Sequence, residues 1–330
     1  TAPGAPTAPT SYNDNVGAVQ SPTSTAATTD DTTPGINIGK NLTDTPALYV
    51  DGVKVPATYD PATGTLTPTT PLGAGAHTLT YTLTDPTGNE SAPSAPLSMT
   101  VDTTAPGAPT APTSYNDNVG AVQSPTSTAA TTDDTTPGIN IGKNLTDTPA
   151  LYVDGVKVPA TYDSATGTLT PTTPLADGAH ALTYTLTDAA GNESAPSPAI
   201  NLTIDATAPA APIGMTGTDD VAAITGTIAA SSTTNDNKPT FAGAAGSAEA
   251  GSTITVLDGT TVLGTAVVAA DGSWSFTPTT ALADGAHSIT TTATDAAGNV
   301  SPASTALPFT VDATAPAAPI GMTGTDDVAA

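Results

Sequence analysis

Residues 1–60 recur as residues 104–163 without a single change. The run that opens both copies, TAPGAPTAPTSYNDNVGAVQ, is echoed by TAPAAP at Thr207 and again at Thr314, so the pattern restarts every 103 to 107 residues. Solenoid repeats are roughly 20–50 residues long, whereas a period of about one hundred is that of a whole domain. The chain therefore divides into units at 1–103, 104–206 and 207–313, with 314–330 opening a fourth. The joining segments, TTAPGAP and ATAPAAP, are short and stiff, because each proline fixes φ and biases the preceding residue to extended forms.

Within each unit the hydrophobic period is two. AHTLTYTLTD alternates Leu79, Tyr81 and Leu83, and ALYVDGVKVPATY reads as a hairpin turned at Asp51-Gly52. In the third unit STITVLDGTTVLGTAVV carries Ile254 and Val256 into a turn at Asp258-Gly259, and Val262 opens the return strand. Asp-Gly between alternating segments is a strong hairpin signal. DGSWSFTP puts Trp274 and Phe276 on one face, the core face. No stretch has a helical period. About seven short strands per unit, with a turn roughly every 8–12 residues, predict an all-β chain of tandem immunoglobulin-like β-sandwiches in a linear rod.

Composition narrows the function classes. Asp and Glu number 30 against 5 Lys and Arg, a net charge of -25, so nucleic acid is repelled. The absence of cysteine excludes disulfides and thiolate metal sites. No apolar run approaches a membrane span. No nucleophile–base pattern, HExxH or phosphate-binding glycine loop is present, and no enzyme activity is expected. His77, His180 and His287 are the three histidines, one per unit at equivalent places. They lie a domain apart and cannot converge, so a structural role is expected, at the spot where many sandwiches carry a corner tyrosine bonded back to the chain. Tyr12 and Tyr115, beside NDN, are the candidates for exposed aromatics that a sugar could stack on.

The segments TNDNKPTFAG, WSFTPTTALADGAHSITTTATDAAGNVS and FTVDATAP resemble bacterial Ig-like repeats, the building units of giant surface adhesins and biofilm-associated proteins. The resemblance is strongest over 207–313; the first two units have no counterpart of Trp274. It implies tandem sandwiches, Ca2+ at the junctions, secretion to the bacterial cell surface and a role in cell adhesion or biofilm formation.

Strand direction in such a sandwich fixes which loops meet. The loop after the first strand and the end of the last strand lie at the trailing end of a unit. The loop between the last two strands, TDPTGNES, TDAAGNES or TDAAGNVS, lies at the leading end and faces the unit before it. The first junction then gathers Asp14, Asp31 and Asp102 with Asp188. The second gathers Asp117, Asp134 and Asp205 with Asp295, and the third holds Asp219, Asp236 and Asp312. Asp85 would face a unit upstream. Carboxylates in one gap repel unless a cation sits among them, and calcium accepts about six to eight oxygens in tolerant geometry. The same Asp, Gly and Asn are also ordinary turn formers, and that reading stays open. The expected function is a calcium-rigidified stalk segment of a large surface adhesin. The alternative is a module that itself binds glycan or protein, or self-associates between cells. Expected partners are neighbouring repeats of the same chain, with any host or surface receptor engaged through other parts of the protein.

Overall fold

The computed structural model describes every residue except Ala223, Pro319 and 322–330. Most of the repeat that restarts at 314–330 lies outside the described residues, and the described part of it forms no strand. Among the described residues there is no helix, and hence none long and apolar enough to cross a membrane.

The first unit contains ten short strands: β1 (Tyr12–Asp14), β2 (Ser21–Ser24), β3 (Thr28–Thr29), β4 (Gly35–Asn37), β5 (Thr45–Val50), β6 (Val53–Val55), β7 (Ala57–Asp60), β8 (Thr65–Pro68), β9 (Gly75–Thr84) and β10 (Leu97–Val101). They form two five-stranded sheets, β2-β1-β4-β8-β7 and β3-β10-β9-β5-β6. The count exceeds seven because the opening strand doubles back as β1 and β2 before crossing to the other sheet as β3. The second unit repeats this layout, and the third has four strands in its first sheet and five in its second. β3 pairs parallel to β10, Thr28 with Thr100 and Thr29 with Val101. Every other pairing in the unit is antiparallel.

Asp51 and Gly52 both take positive φ, 51° and 80°, as the two-residue hairpin turn requires. In the third unit an irregularity between Val256 and Leu257 shifts the turn by one residue. Thr253–Asp258 and Thr261–Val267 are the strands there, so Gly259 and Thr260 turn the chain rather than Asp258 and Gly259.

Each unit packs its own core, and the units fill it differently. In the first, Tyr12 on β1 faces Ile36 on β4, and both are fully buried. In the third, Gly217 faces Phe241 at the same register, so the large ring comes from the opposite strand. Trp274 is buried and Phe276 packs against the same cluster, as their alternation predicts. Where Trp274 stands, the first unit has Gly64, and Tyr59 closes that region by donating its hydroxyl to Gly39 O at 2.7 Å. Tyr12 and Tyr115 are therefore core residues, 1% and 0% exposed, not surface aromatics. The alternation of a three-residue strand turns them inward, and Tyr12 donates to the carbonyls of Ala26 and Thr28.

Candidate metal centre at the domain junctions

The topology delivers an acidic group to the trailing end of each unit. β1 ends at Asp14, and β3 runs the same way as β10 and releases Asp30 and Asp31 beside it. Thr29 ties them together. Its hydroxyl donates to Asp14 Oδ2 at 2.9 Å and accepts from Asp31 N at 3.1 Å. Asp31 Oδ1 accepts from Thr33 N at 2.7 Å. Two buried oxygens are left without a hydrogen-bond donor, Asp30 Oδ1 and Asp31 Oδ2. The second unit repeats the arrangement with Asp117, Thr132 and Asp134, and Asp133 Oδ1 is again without a donor. The third joins Asp219, Thr234 and Asp236 in the same way. There Asn235 stands in the place of Asp30, and its Oδ1 is also buried and unpartnered.

Asp30 and Asp133 join this buried acidic group although alternation argues against them. In TTDDTTP only one member of the Asp pair points inward if the strand continues. The chain leaves the sheet after Thr29, so both carboxylates turn in. The doublet itself, present in units one and two, was the available signal. Burial chiefly, then the neighbouring Asp14, pushes the Asp30 carboxyl above the usual range, with Asp31 and Asp188 adding to it. Burial and Asp117 do the same to Asp133. Burial also raises Asp14. The Asp30 carboxylate rests against Gly17, whose φ is +70°; a Cβ there would lie 1.7 Å from Asp30 Oδ2.

The leading loop of the next unit closes this end. Asp188 Oδ1 accepts from the backbone N–H groups of Ala190, Gly191 and Asn192 at 2.9–3.0 Å, and Oδ2 accepts from Asn192 Nδ2 at 3.0 Å. The Asp188 carboxylate thus folds its own loop. That fold turns the loop carbonyls outward across the boundary. Ala189 O accepts from Thr28 Oγ1, Ala190 O from Asp30 N and Gly191 O from Ala18 N, at 3.0–3.1 Å. Asn192 Nδ2 donates to Asp102 O at 2.8 Å. At the second junction Asp133 N donates to Ala297 O at 3.2 Å, and Asn299 Nδ2 donates to Asp205 O at 2.7 Å. Asp295 folds its loop as Asp188 does. Asp85 does so in the first unit, and the Asn89 side chain above all holds its carboxyl at about 2.

The predicted ligands therefore separate. Asp14 and Asp31, Asp117 and Asp134, and Asp219 and Asp236 are gathered and buried. Asp85, Asp188 and Asp295 anchor turns. Asp102, Asp205 and Asp312 direct a carboxylate oxygen to the linker, accepting from Thr104 N, Thr207 N and Thr314 N. Among the described residues no three Asp, Glu, His or Cys side chains gather closely enough to hold a metal ion by themselves.

Residues 10–103, 113–206 and 213–313 each match the bacterial Ig-like domain. The chain belongs to that family. No curated protein matches it. Among solved structures, the fibronectin(III)-like modules of Clostridium thermocellum CbhA are 14% identical, over 56% of this chain and 89% of that one, with a TM-score of 0.37. A tetra-tandem repeat in the extending region of a large adhesion protein is 21% identical, over 86% and 71%, at 0.23. A structure concerned with host-cell surface retention of a 1.5-MDa bacterial ice-binding adhesin is 16% identical, over 85% and 91%, at 0.26. At these identities the likeness of the Ig-like repeats to those structures is one of fold.

Proposed function

We propose that these Ig-like repeats form a stalk segment of a large bacterial surface adhesin, exported to the cell surface, whose junctions are stiffened by calcium. One observation carries the reading: the same acceptor oxygen, of Asp30, Asp133 and Asn235, is buried without a donor at the trailing end of all three units. An unsatisfied buried polar group costs on the order of 1–3 kcal/mol, and a cation relieves it. The donors available are oxygens only, which suits a hard cation, and a mixed set of carboxylates, carbonyls and water suits calcium better than magnesium. Asp14, Asp30 and Asp31 would hold the ion at the first junction, and Asp117, Asp133 and Asp134 at the second. Because side chains alone do not suffice, backbone carbonyls or water complete the shell. The ion would fix the acidic segment against the docked loop of the next unit, and so limit bending at each boundary. Three sandwiches of roughly 25–30 Å strand length plus loops would then extend about 100 Å. Neighbouring repeats are the direct partners in this reading, and any receptor is met elsewhere in the protein. Burial of Tyr12 and Tyr115 removes the aromatics that favoured glycan binding.

Calcium titration followed by calorimetry and small-angle scattering tests the proposal. Binding with a dissociation constant of roughly 0.1–1 mM is expected, with a longer and narrower distance distribution. Asp30→Ala should remove the first site and leave the second. No heat of binding together with an unchanged maximum dimension in millimolar calcium would defeat it.

A further inference from the structure

The three histidines repeat one contact that composition does not explain. His77 Nδ1 lies 2.7 Å from Asp51 Oδ2, and His77 Nε2 lies 2.8 Å from Gly73 O. His180 makes the same pair with Asp154 Oδ2 at 2.7 Å and Ala176 O at 2.9 Å. His287 makes it with Asp258 Oδ2 at 2.6 Å and Ala283 O at 2.8 Å. A carboxylate oxygen and a peptide carbonyl only accept. A neutral imidazole has one N–H and one lone pair, so it can serve one of these partners and must repel the other. Both contacts close only when each ring nitrogen carries a proton.

We infer that each sandwich is latched by an imidazolium that bridges a hairpin turn to the loop at the trailing end, and that deprotonation opens the latch. The carboxylate end is fixed independently, because Asp51 Oδ1 accepts from Thr78 N, Asp154 Oδ1 from Ala181 N and Asp258 Oδ1 from Ser288 N. The carbonyl end belongs to a loop that reaches the junction. Next to the latched carbonyls, Leu72 N donates to Thr32 O, Leu175 N to Thr135 O and Leu282 N to Asn237 O, at 2.7–2.8 Å. Thr32 and Thr135 follow the buried acids Asp31 and Asp134, so the ring is two hydrogen bonds from the acidic segment.

The surroundings leave one counter-charge per ring. Across the sheet the histidines face Met99, Leu202 and Phe309. The groove beside His77 is lined by Ala27, Ala76, Thr78, Ser98, Met99 and Thr100, none of them titratable in this range. The charged group acting on each ring is its own Asp51, Asp154 or Asp258. All three rings are held above the ordinary histidine range. The aspartate bond is the main cause for His77 and His180; for His287 burial is the largest single effect and pulls the ring down, and the Asp258 bond, the Ala283 carbonyl and the Asp258 charge together outweigh it. A raised folded value places this stabilisation fully below about pH 6.5 and removes it as pH climbs through the folded value.

The test uses the whole chain with a chelator present, so it does not depend on calcium. Nitrogen-resolved NMR of the imidazoles is expected to find all three titrating above free histidine, each doubly protonated below its own midpoint. Hydrogen exchange at Leu72, Leu175 and Leu282 should accelerate through those midpoints more steeply than the tenfold per pH unit of base catalysis. Asp154→Asn should lower the midpoint of His180 and leave His77 and His287 in place. A ring in any unit that titrates no higher than free histidine overturns the latch. So does exchange that follows the plain base slope, or an unmoved His180 midpoint in a folded Asp154→Asn chain; should that variant not fold, the native titration decides.

Discussion

Single carboxylates in this chain differ in what they face, and their titration should sort them. Asp30 and Asp133 are buried among like charges and raised, so in chelator their contribution to stability is lost as pH rises through their folded values. Asp85 accepts several donors and sits at about 2, so its contribution is present above the free-aspartate range and lost as pH falls through that value. Carboxyl carbon NMR should therefore place Asp30 and Asp133 above free aspartate and Asp85 below it. Added calcium should move the first two down and leave Asp85 where it is; equal shifts at all three would count against the junction site. The sequence displayed these acids but not their employment. Asp188 is expected as a ligand because its loop faces the right way, and its carboxylate also accepts from its own amides two to four residues on. Nothing in TDAAGN distinguishes a turn anchor from a metal ligand. Conversely, Asp30 was hidden by a strand that stops one residue sooner than alternation suggests.

At the scale of strands, the hairpins and the long alternating segments were legible because a period of two survives any packing. The core partners were not. Tyr12 opposite Ile36 and Gly217 opposite Phe241 fill the same space from opposite strands, a choice that only three-dimensional register reveals. This makes a quantitative expectation. Ile36→Phe alone should overpack the first unit by about 1–3 kcal/mol. Tyr12→Gly alone should cost about 3–5 kcal/mol through the cavity it leaves, with some further loss from glycine in a strand. The pair together should cost clearly less than the sum, since contacting residues do not add. Hydrogen exchange of the first unit measures all three variants, and strict additivity would refute the swap.

Across the whole chain, the linkers are not equally held. Asp177 accepts from Ala206 N at 3.1 Å and Thr207 Oγ1 at 3.0 Å, pinning the second linker. Asp284 holds Ala313 N and Thr314 Oγ1 in the same way. The first unit has Ala74 at this place, and no such clasp forms. Asp177→Ala should therefore increase the relative motion of the second and third units, and Ala74→Asp should reduce that of the first and second. Backbone relaxation of each unit reads both, and unchanged tumbling in the two variants would remove the asymmetry. One further property follows from the parallel pairing of Thr28–Thr29 with Thr100–Val101, repeated at Thr131–Thr132 and Thr233–Thr234. Tension applied through the two ends of a unit drives these segments past one another, so their bonds are loaded together in shear rather than peeled in succession. Rupture at this patch would need its peptide contacts to fail together.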